Sequence, residues 1–184
     1  MSVVLVRQRG KSLAELLVVV TLLGALAVIV VPSLTVLGPE RVELAAVEVA
    51  GAIRFAQSEA RRSGAEHGVL LDTTAQRLRV YRIDDSGPSP VVMFDVYHPL
   101  DKQLYDLRFA TDARYQKVRL DDATFVYQDV AGSQQDIGFL ASGEPRYLDA
   151  GTPRLLVSGT VTLSDGNHRQ QLNIAPRTGR ITQP

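Results

Sequence analysis

The stretch that decides the fold is "RQRGKSLAELLVVVTLLGALAVIVVP", residues Arg7 to Pro32. From Leu13 to Val31 it is almost wholly apolar, and about 19 helical residues span the ~30 Å hydrocarbon core of a bilayer. A secretory signal peptide would have a shorter apolar run, followed by a cleavage site of small residues. We therefore predict that this stretch is a single-pass membrane anchor.

The basic residues at the start of this stretch orient the anchor. Arg7, Arg9 and Lys11 all precede the apolar run. Because positive charge is retained on the cytoplasmic side, the N-terminus is expected in the cytoplasm and the rest of the chain outside.

One acidic residue, Glu15, lies inside the apolar run. Ionisable groups within a membrane span are costly and often mark a functional position. The alternative is that Glu15 lies in the first turn near the interface, where water and the helix dipole reduce the cost. The residues alone leave both interpretations open.

A basic leader that ends in Gly10, with Glu15 as the fifth residue after it, precedes an apolar helix interrupted by Pro32. This arrangement resembles the class III signal of type IV pilins and pseudopilins. The resemblance implies that a prepilin peptidase cuts between Gly10 and Lys11, and that Lys11 becomes the methylated N-terminus. It also implies that Glu15 neutralises the α-amino group of a neighbouring subunit during assembly. Lys11 departs from the family, which usually has phenylalanine or another apolar residue there.

A second helical segment follows Pro32, which is expected to kink the helix because it lacks a backbone donor. Small apolar residues recur there at helical spacing, and Gly64 is a plausible C-cap. We predict a leader over residues 1–10, a transmembrane helix over 11–31 and an amphipathic stem helix over 32–64. The apolar stripe of the stem comprises Val42, Ala45, Ala46, Val49, Ala52, Ile53, Ala56 and Ala60.

Residues 65–184 alternate with a period of two, which predicts strands. Asp165-Gly166 is a strong hairpin signal. The predicted architecture is an α+β, pilin-like domain in which one long helix packs on an antiparallel sheet. The segments expected as strands are "GVLLDT", "QRLRVYRID", "VVMFDVY", "VRL", "TFVYQ", "DIGFLAS", "RLLVSGTVTL", "RQQLNIAP" and "GRIT".

Three further segments, "AIRFAQSEARRSG", "IGFLASGEP" and "LNIAPRTGRI", resemble the GspH/FimT family. Members of this family are minor pseudopilins of type II secretion and minor pilins of type IV pili. The resemblance implies a structural component of a secretion pseudopilus, held in the bacterial inner membrane before assembly with its C-terminal domain in the periplasm. Its implied partners are other pseudopilins or pilins, the prepilin peptidase and an inner-membrane assembly platform.

The alternative is a FimT-like minor pilin that binds DNA during uptake. Gly179 and Arg180 match part of a Gly-Arg-x-Arg motif, but Thr182 stands at the second arginine, and Arg177 and Arg169 are the candidate substitutes. The leader holds two of the 20 basic residues, so the processed chain has 18 against 20 acidic ones, which disfavours DNA binding. In the alternative interpretation, Arg180 is a solvated residue on a terminal strand and does not contact DNA. A third reading is an anchored domain of an unrelated envelope system, which predicts no processing.

Enzymatic chemistry is not expected. Cysteine is absent, and the three histidines lack metal-ligand spacing, so no cofactor or metal site is predicted. His67 and His168 are expected in solvated loops. The pairs Asp84-Asp85 and Asp121-Asp122 are interpreted as turn residues, and the sequence leaves a calcium-binding loop open.

Overall fold

The structure, a computed structural model, describes residues 13–14, 16–22, 37–147 and 153–183. The chain forms two compact units, Met1–Leu37 and Gly38–Pro184. In the first unit, residues 13–14 and 16–22 are helical and exposed. Among the described residues, no helix combines the length and the apolar character needed to cross a membrane.

Helix α1 spans Leu37–Ser63 and carries the signals of a helix at both ends. Pro39 and the acidic Glu40 lie in the first turn, where a missing N–H and a negative charge are both favourable. After the last turn, the Gly64 N–H donates to the Ala60 carbonyl at 3.0 Å. Gly64 has φ +73°, the left-handed conformation that ends many helices. The predicted C-cap is confirmed.

One face of α1 packs on the sheet. All eight residues of the predicted apolar stripe are buried, each with at most 2% of its surface exposed. Five of the eight are alanines, and small side chains bring a helix backbone close to the surface it covers. The interface is extended by phenylalanines from β5 and β6, so the main core lies between α1 and the sheet.

In the described part of the chain, ten strands follow α1, and every pairing between them is antiparallel. Their bounds are β1 His67–Asp72, β2 Arg77–Asp84, β3 Val91–Met93, β4 Asp106–Arg108, β5 Arg119–Tyr127, β6 Asp136–Phe139, β7 Pro145–Tyr147, β8 Arg154–Ser164, β9 Arg169–Ile174 and β10 Ile181–Thr182. A single 3-10 turn, Ala113–Tyr115, lies between β4 and β5.

The sheet has two parts that share the long strand β8. The main path runs in the order β10-β9-β8-β7-β6-β1-β2-β3, with β4 paired to β2 and β5 paired to β8. The start of β8 pairs with β7, its remainder pairs with β5, and the last part, from Gly159 to Ser164, also pairs with β9. One helix on an antiparallel sheet is the predicted α+β arrangement, and the predicted fold class is confirmed.

Several details of the strand prediction differ from the structure. The segments "VRL" and "TFVYQ" form one strand, β5, because Asp121 and Asp122 lie in it at a shift of register, where a bulge accommodates them. The aspartate pair is therefore not a turn. The segment "VVMFDVY" keeps only three strand residues before the chain leaves the sheet. The strands β4 and β7 were not predicted.

Candidate functional site

The residues of the predicted N-terminal signal lie outside the described part of the chain. This holds for Gly10, Lys11, Glu15 and Pro32, so cleavage, methylation, subunit pairing and the kink remain predictions. Next to them, the Thr21 hydroxyl donates to the Leu17 and Val18 carbonyls at 3.0 and 2.9 Å. The polar group of this threonine is therefore satisfied within its own helix.

The three candidate DNA-contacting residues all lie in the turn between β9 and β10. The Ala175 N–H donates to the Arg180 carbonyl, and the Gly179 N–H donates to the Ala175 carbonyl, both at 2.9 Å. Arg177 and Arg180 are exposed, whereas Gly179 is buried. The structure thus brings the predicted residues together in one turn. Only the two arginines are exposed to a possible ligand, whereas the glycine is buried.

Contact with α1 accounts for the glycine at position 179. Its φ is +66°, and a Cβ there would lie 2.8 Å from Gln57 Nε2 and 3.0 Å from a ring carbon of Phe139. The same Gln57 Nε2 donates to the Thr178 carbonyl at 2.8 Å and to the Gly143 carbonyl at 2.7 Å. Gln57 therefore connects the β9–β10 turn to the β6–β7 turn.

The β6–β7 turn contacts α1 in a similar way one helical turn later. Gly143 has φ +79°, and a Cβ there would lie 1.9 Å from Arg61 Nε. Arg61 Nε also donates to the Ser142 carbonyl at 3.3 Å. We call Gln57, Arg61, Gly143 and Gly179, with the carbonyls that they contact, the helix–turn clasp.

The clasp joins all three segments that carry the GspH/FimT resemblance. Gln57 and Arg61 belong to the first segment, Gly143 to the second and Gly179 to the third. Sequence reasoning singled out the two glycine-containing turns but missed the two helix residues. A signal was present, since each of these polar residues directly follows a buried alanine of the stripe, Ala56 or Ala60.

Several arginines near the sheet are paired with carboxylates. Arg77 pairs with Asp106, Arg82 pairs with Asp95 at 2.8 Å, and Arg114 pairs with Asp112 at 2.7 Å. Hydrogen bonds from these guanidinium groups lower the pKa of each of the three aspartates. Within the described residues, Arg177 and Arg180 have no ion pair, so the β9–β10 turn carries two exposed and unpaired positive charges.

The histidine prediction was wrong for His67, which is only 5% exposed. It begins β1, and its Nδ1 lies 3.0 Å from the Ala65 carbonyl oxygen, so the ring has a polar partner within the chain. His168 is half-exposed beside Asp165, as expected for a turn. The N–H groups of His168 and Asn167 lower the pKa of Asp165 to about 2.

His98 lies between two carboxylates from different elements. Its Nδ1 is 3.4 Å from Asp101, and its Nε2 is 4.0 Å from Glu48 on α1. The ring meets Tyr105 edge-on, and the Tyr105 hydroxyl donates to Glu48 at 3.1 Å. Among the described residues, no group of three or more histidine, aspartate or glutamate side chains is arranged to hold a metal ion.

No protein-family model matches the chain, and no curated protein matches it. Two solved structures are similar in fold. A structure of EpsH from the type 2 secretion system of Vibrio cholerae has 16% identity and a TM-score of 0.49, over 78% of this chain and 96% of that one. A crystal structure of the same Vibrio protein has 14% identity and a TM-score of 0.49, over 79% of this chain and 94% of that one. Both are minor pseudopilins. At this level of identity the likeness concerns the fold alone.

Proposed function

We propose that this chain is a minor pseudopilin, a structural and non-enzymatic component of a type II secretion pseudopilus. In this role it is anchored in the bacterial inner membrane through residues 11–31, with its N-terminus in the cytoplasm and residues 65–184 in the periplasm. Its neighbours are other pseudopilins. The prepilin peptidase and the assembly platform act on it before it enters the filament.

One observation carries this proposal. The sequence has a basic leader, Gly10, Glu15 and an apolar run of membrane-spanning length, and this signal precedes a stem helix packed on an antiparallel sheet. The alanine face of α1 is buried within the domain, so this helix is an integral part of the domain's core. An anchor alone would also suit another membrane-bound domain, so the position of Gly10 and Glu15 relative to the apolar run is what favours a filament subunit.

In this mechanism Glu15 is the residue that drives docking. A carboxylate in an apolar helix is tolerated when assembly supplies an opposite charge. Cleavage after Gly10 creates that charge, because it exposes the α-amino group of Lys11. Lys11 and Glu15 are four residues apart, so the lysine side chain competes weakly for the same carboxylate.

The intact mass and N-terminal sequence of the membrane-bound chain test the proposal. With a co-expressed prepilin peptidase, the chain should begin at Lys11 and carry a methyl group, and without the peptidase it should begin at Met1. Glu15→Ala should leave cleavage unchanged and reduce co-purification with other pseudopilins. If the chain stays uncut in the presence of an active peptidase, the variant Lys11→Phe is tested next. Cleavage of this variant would show that Lys11 blocks processing. If the variant also stays uncut, the proposal is contradicted.

The exposed Arg177 and Arg180 keep DNA binding as a second candidate. They lie on one turn without carboxylate partners in the described residues, which suits contact with phosphate. The structure assigns Gly179 a packing role, however, so the glycine of the motif adds nothing to this candidate. Salt-dependent retention on DNA that is lost in Arg177→Ala and Arg180→Ala, but not in the exposed control Arg119→Ala, would support it. The absence of retention at low salt would exclude it.

A further inference from the structure

A cavity of about 350 Å³ opens beside the C-terminal half of α1, against the start of β1 and the loop between β3 and β4. Its volume lies near the lower end of the range for small-ligand sites. None of the residues that line it has a role in the proposed function. We call it the His67 cavity; its walls include Phe55, Glu59, His67, Arg82, Tyr97 and Lys102.

His67 contributes one ring nitrogen to this cavity. The side chain is only 5% exposed, and its Nδ1 lies 3.0 Å from the Ala65 carbonyl oxygen, which can only accept a hydrogen bond. Nδ1 therefore carries the proton of the neutral ring, and Nε2 is an acceptor. Among the described residues, Nε2 has no hydrogen-bond partner. Since no described side-chain nitrogen or oxygen is both fully buried and unpaired, Nε2 reaches open space, and the cavity is the space that its ring lines.

The two carboxylates that line the cavity already have partners. Glu59 accepts a hydrogen bond from Arg62 Nε at 3.0 Å, and Asp95 accepts two from Arg82, both at 2.8 Å. These hydrogen bonds lower the pKa of both acids, so both are ionised at neutral pH. The two pairs leave His67 Nε2 without a donor. A ligand of this cavity therefore has to bring a hydrogen-bond donor, whereas it needs no charge.

Aromatic side chains form the apolar part of the walls. Phe55 on α1 packs against Tyr105, with 5.5 Å between the ring centroids. Tyr97 lies on the loop between β3 and β4 and is 58% exposed. A flat ring that enters the cavity can contact both Phe55 and Tyr97, and aromatic pairs contribute more than their buried area alone. The cavity thus suits a ligand with an aromatic body.

We propose that the His67 cavity binds a phenol group, an aromatic ring whose hydroxyl donates a hydrogen bond to His67 Nε2. The ring packs on Phe55 and Tyr97, and the hydroxyl supplies the donor that no described residue provides. An ionic ligand of either sign is disfavoured, because Glu59 and Arg82 bring opposite charges to the same walls. A tyrosine side chain of another polypeptide and a free phenolic molecule share this chemistry.

Ligand titration of the full-length chain in detergent, followed by NMR of the histidine ring nitrogens, tests this site. The main probes are N-acetyl-tyrosine amide and N-acetyl-phenylalanine amide, which differ by one hydroxyl. We expect the tyrosine probe to bind about fivefold more tightly, as one hydrogen bond would give, and to shift the Nε2 signal of His67. Phenol is the probe for a free small molecule.

Two variants separate the hydrogen bond from the aromatic walls. His67→Asn keeps a donor for the Ala65 carbonyl but lacks the Nε2 acceptor, so it should abolish the preference for the tyrosine probe. Tyr97→Ala should weaken both amide probes about equally. The matched control Leu100→Ala, 86% exposed on the same loop, should change neither. Because Tyr97 is exposed, its variant remains informative if the buried His67 variant fails to fold.

The outcomes decide both the site and its ligand. Equal binding of the two amide probes overturns the hydrogen bond to His67, and the lack of a saturable response at His67 with any probe overturns the site. Binding of phenol without the tyrosine probe identifies a small molecule as the ligand, whereas binding of both supports a tyrosine side chain. Cleavage after Gly10 has no part in these measurements, so this site and the pseudopilin proposal can fail independently.

Discussion

Replacement of Gln57 should loosen the domain by removing the centre of the helix–turn clasp. The side-chain amide of Gln57 donates at 2.7 Å to Gly143 and at 2.8 Å to Thr178, and it connects two turns from different parts of the sheet. Each such bond contributes about 0.5–1.5 kcal/mol. Water can replace part of this at the exposed Thr178 carbonyl, so Gln57→Ala should cost about 1–2 kcal/mol of unfolding free energy.

Gln57→Glu distinguishes the two hydrogen bonds from simple packing. It keeps the size of the side chain but places two acceptor oxygens against two carbonyls, so it should cost more than alanine, about 2–4 kcal/mol. The neighbouring Ser58→Ala is the matched control, because Ser58 is exposed and makes no contact in the clasp.

Urea unfolding of the full-length chain in detergent measures these differences. In thermal unfolding, each kcal/mol of unfolding free energy that is lost should lower the Tm of a chain of this size by about 2–4 °C. Hydrogen exchange should also accelerate selectively in the turns 140–144 and 175–180. The reasoning is refuted if Gln57→Glu is no less stable than Gln57→Ala, or if both lie within about 0.5 kcal/mol of the unsubstituted chain.

Two further predictions concern the sheet and the helix surface. Gly68→Ala should lower the unfolding free energy by about 1–3 kcal/mol, because a Cβ there would lie 2.3 Å from the ring of Tyr81 and 2.7 Å from a carbonyl oxygen. The control is Gly51→Ala, where a Cβ on the helix meets no atom within 4 Å. This variant should raise the unfolding free energy by about 0.5–1 kcal/mol. Burial raises the pKa of Asp136, so its contribution to stability falls as the pH rises above the ordinary aspartate value. Asp136→Asn should remove this contribution to the pH dependence of the unfolding free energy. The unfolding free energies of the variant and the unsubstituted chain are measured at about pH 4 and pH 7. Equal changes between the two pH values in both chains would contradict the prediction.

The periodic parts of the fold were predictable because burial repeats with the geometry of each element. In α1 the stripe from Val42 to Ala60 follows the helical period, and all of it is buried as predicted. In β8 and β9 the alternation and the Asp165-Gly166 turn fixed the hairpin. Gly166 has φ +92°, a conformation that glycine adopts without strain.

The strands that were not predicted are too short to show a repeating pattern of buried and exposed residues. β4 and β7 contain three residues each, too few for an alternation to be visible. Both owe their position to longer neighbours, since β4 pairs with β2, and β7 lies between β6 and β8. Sequence patterns describe the faces of an element, whereas a short strand is determined by the edge to which it binds.

The clasp shows the same limit for functional residues. The glycine of the Gly179-Arg180 pair attracted attention as half of a DNA-binding motif, yet its conformation and its closeness to Gln57 explain it without any ligand. The partner that explains it lies 122 positions earlier in the chain. A motif of a few residues therefore records the constraints of packing together with those of function. Once packing has accounted for Gly179, only the exposed arginines beside it retain a functional meaning, and these are the residues that a DNA-retention experiment has to change.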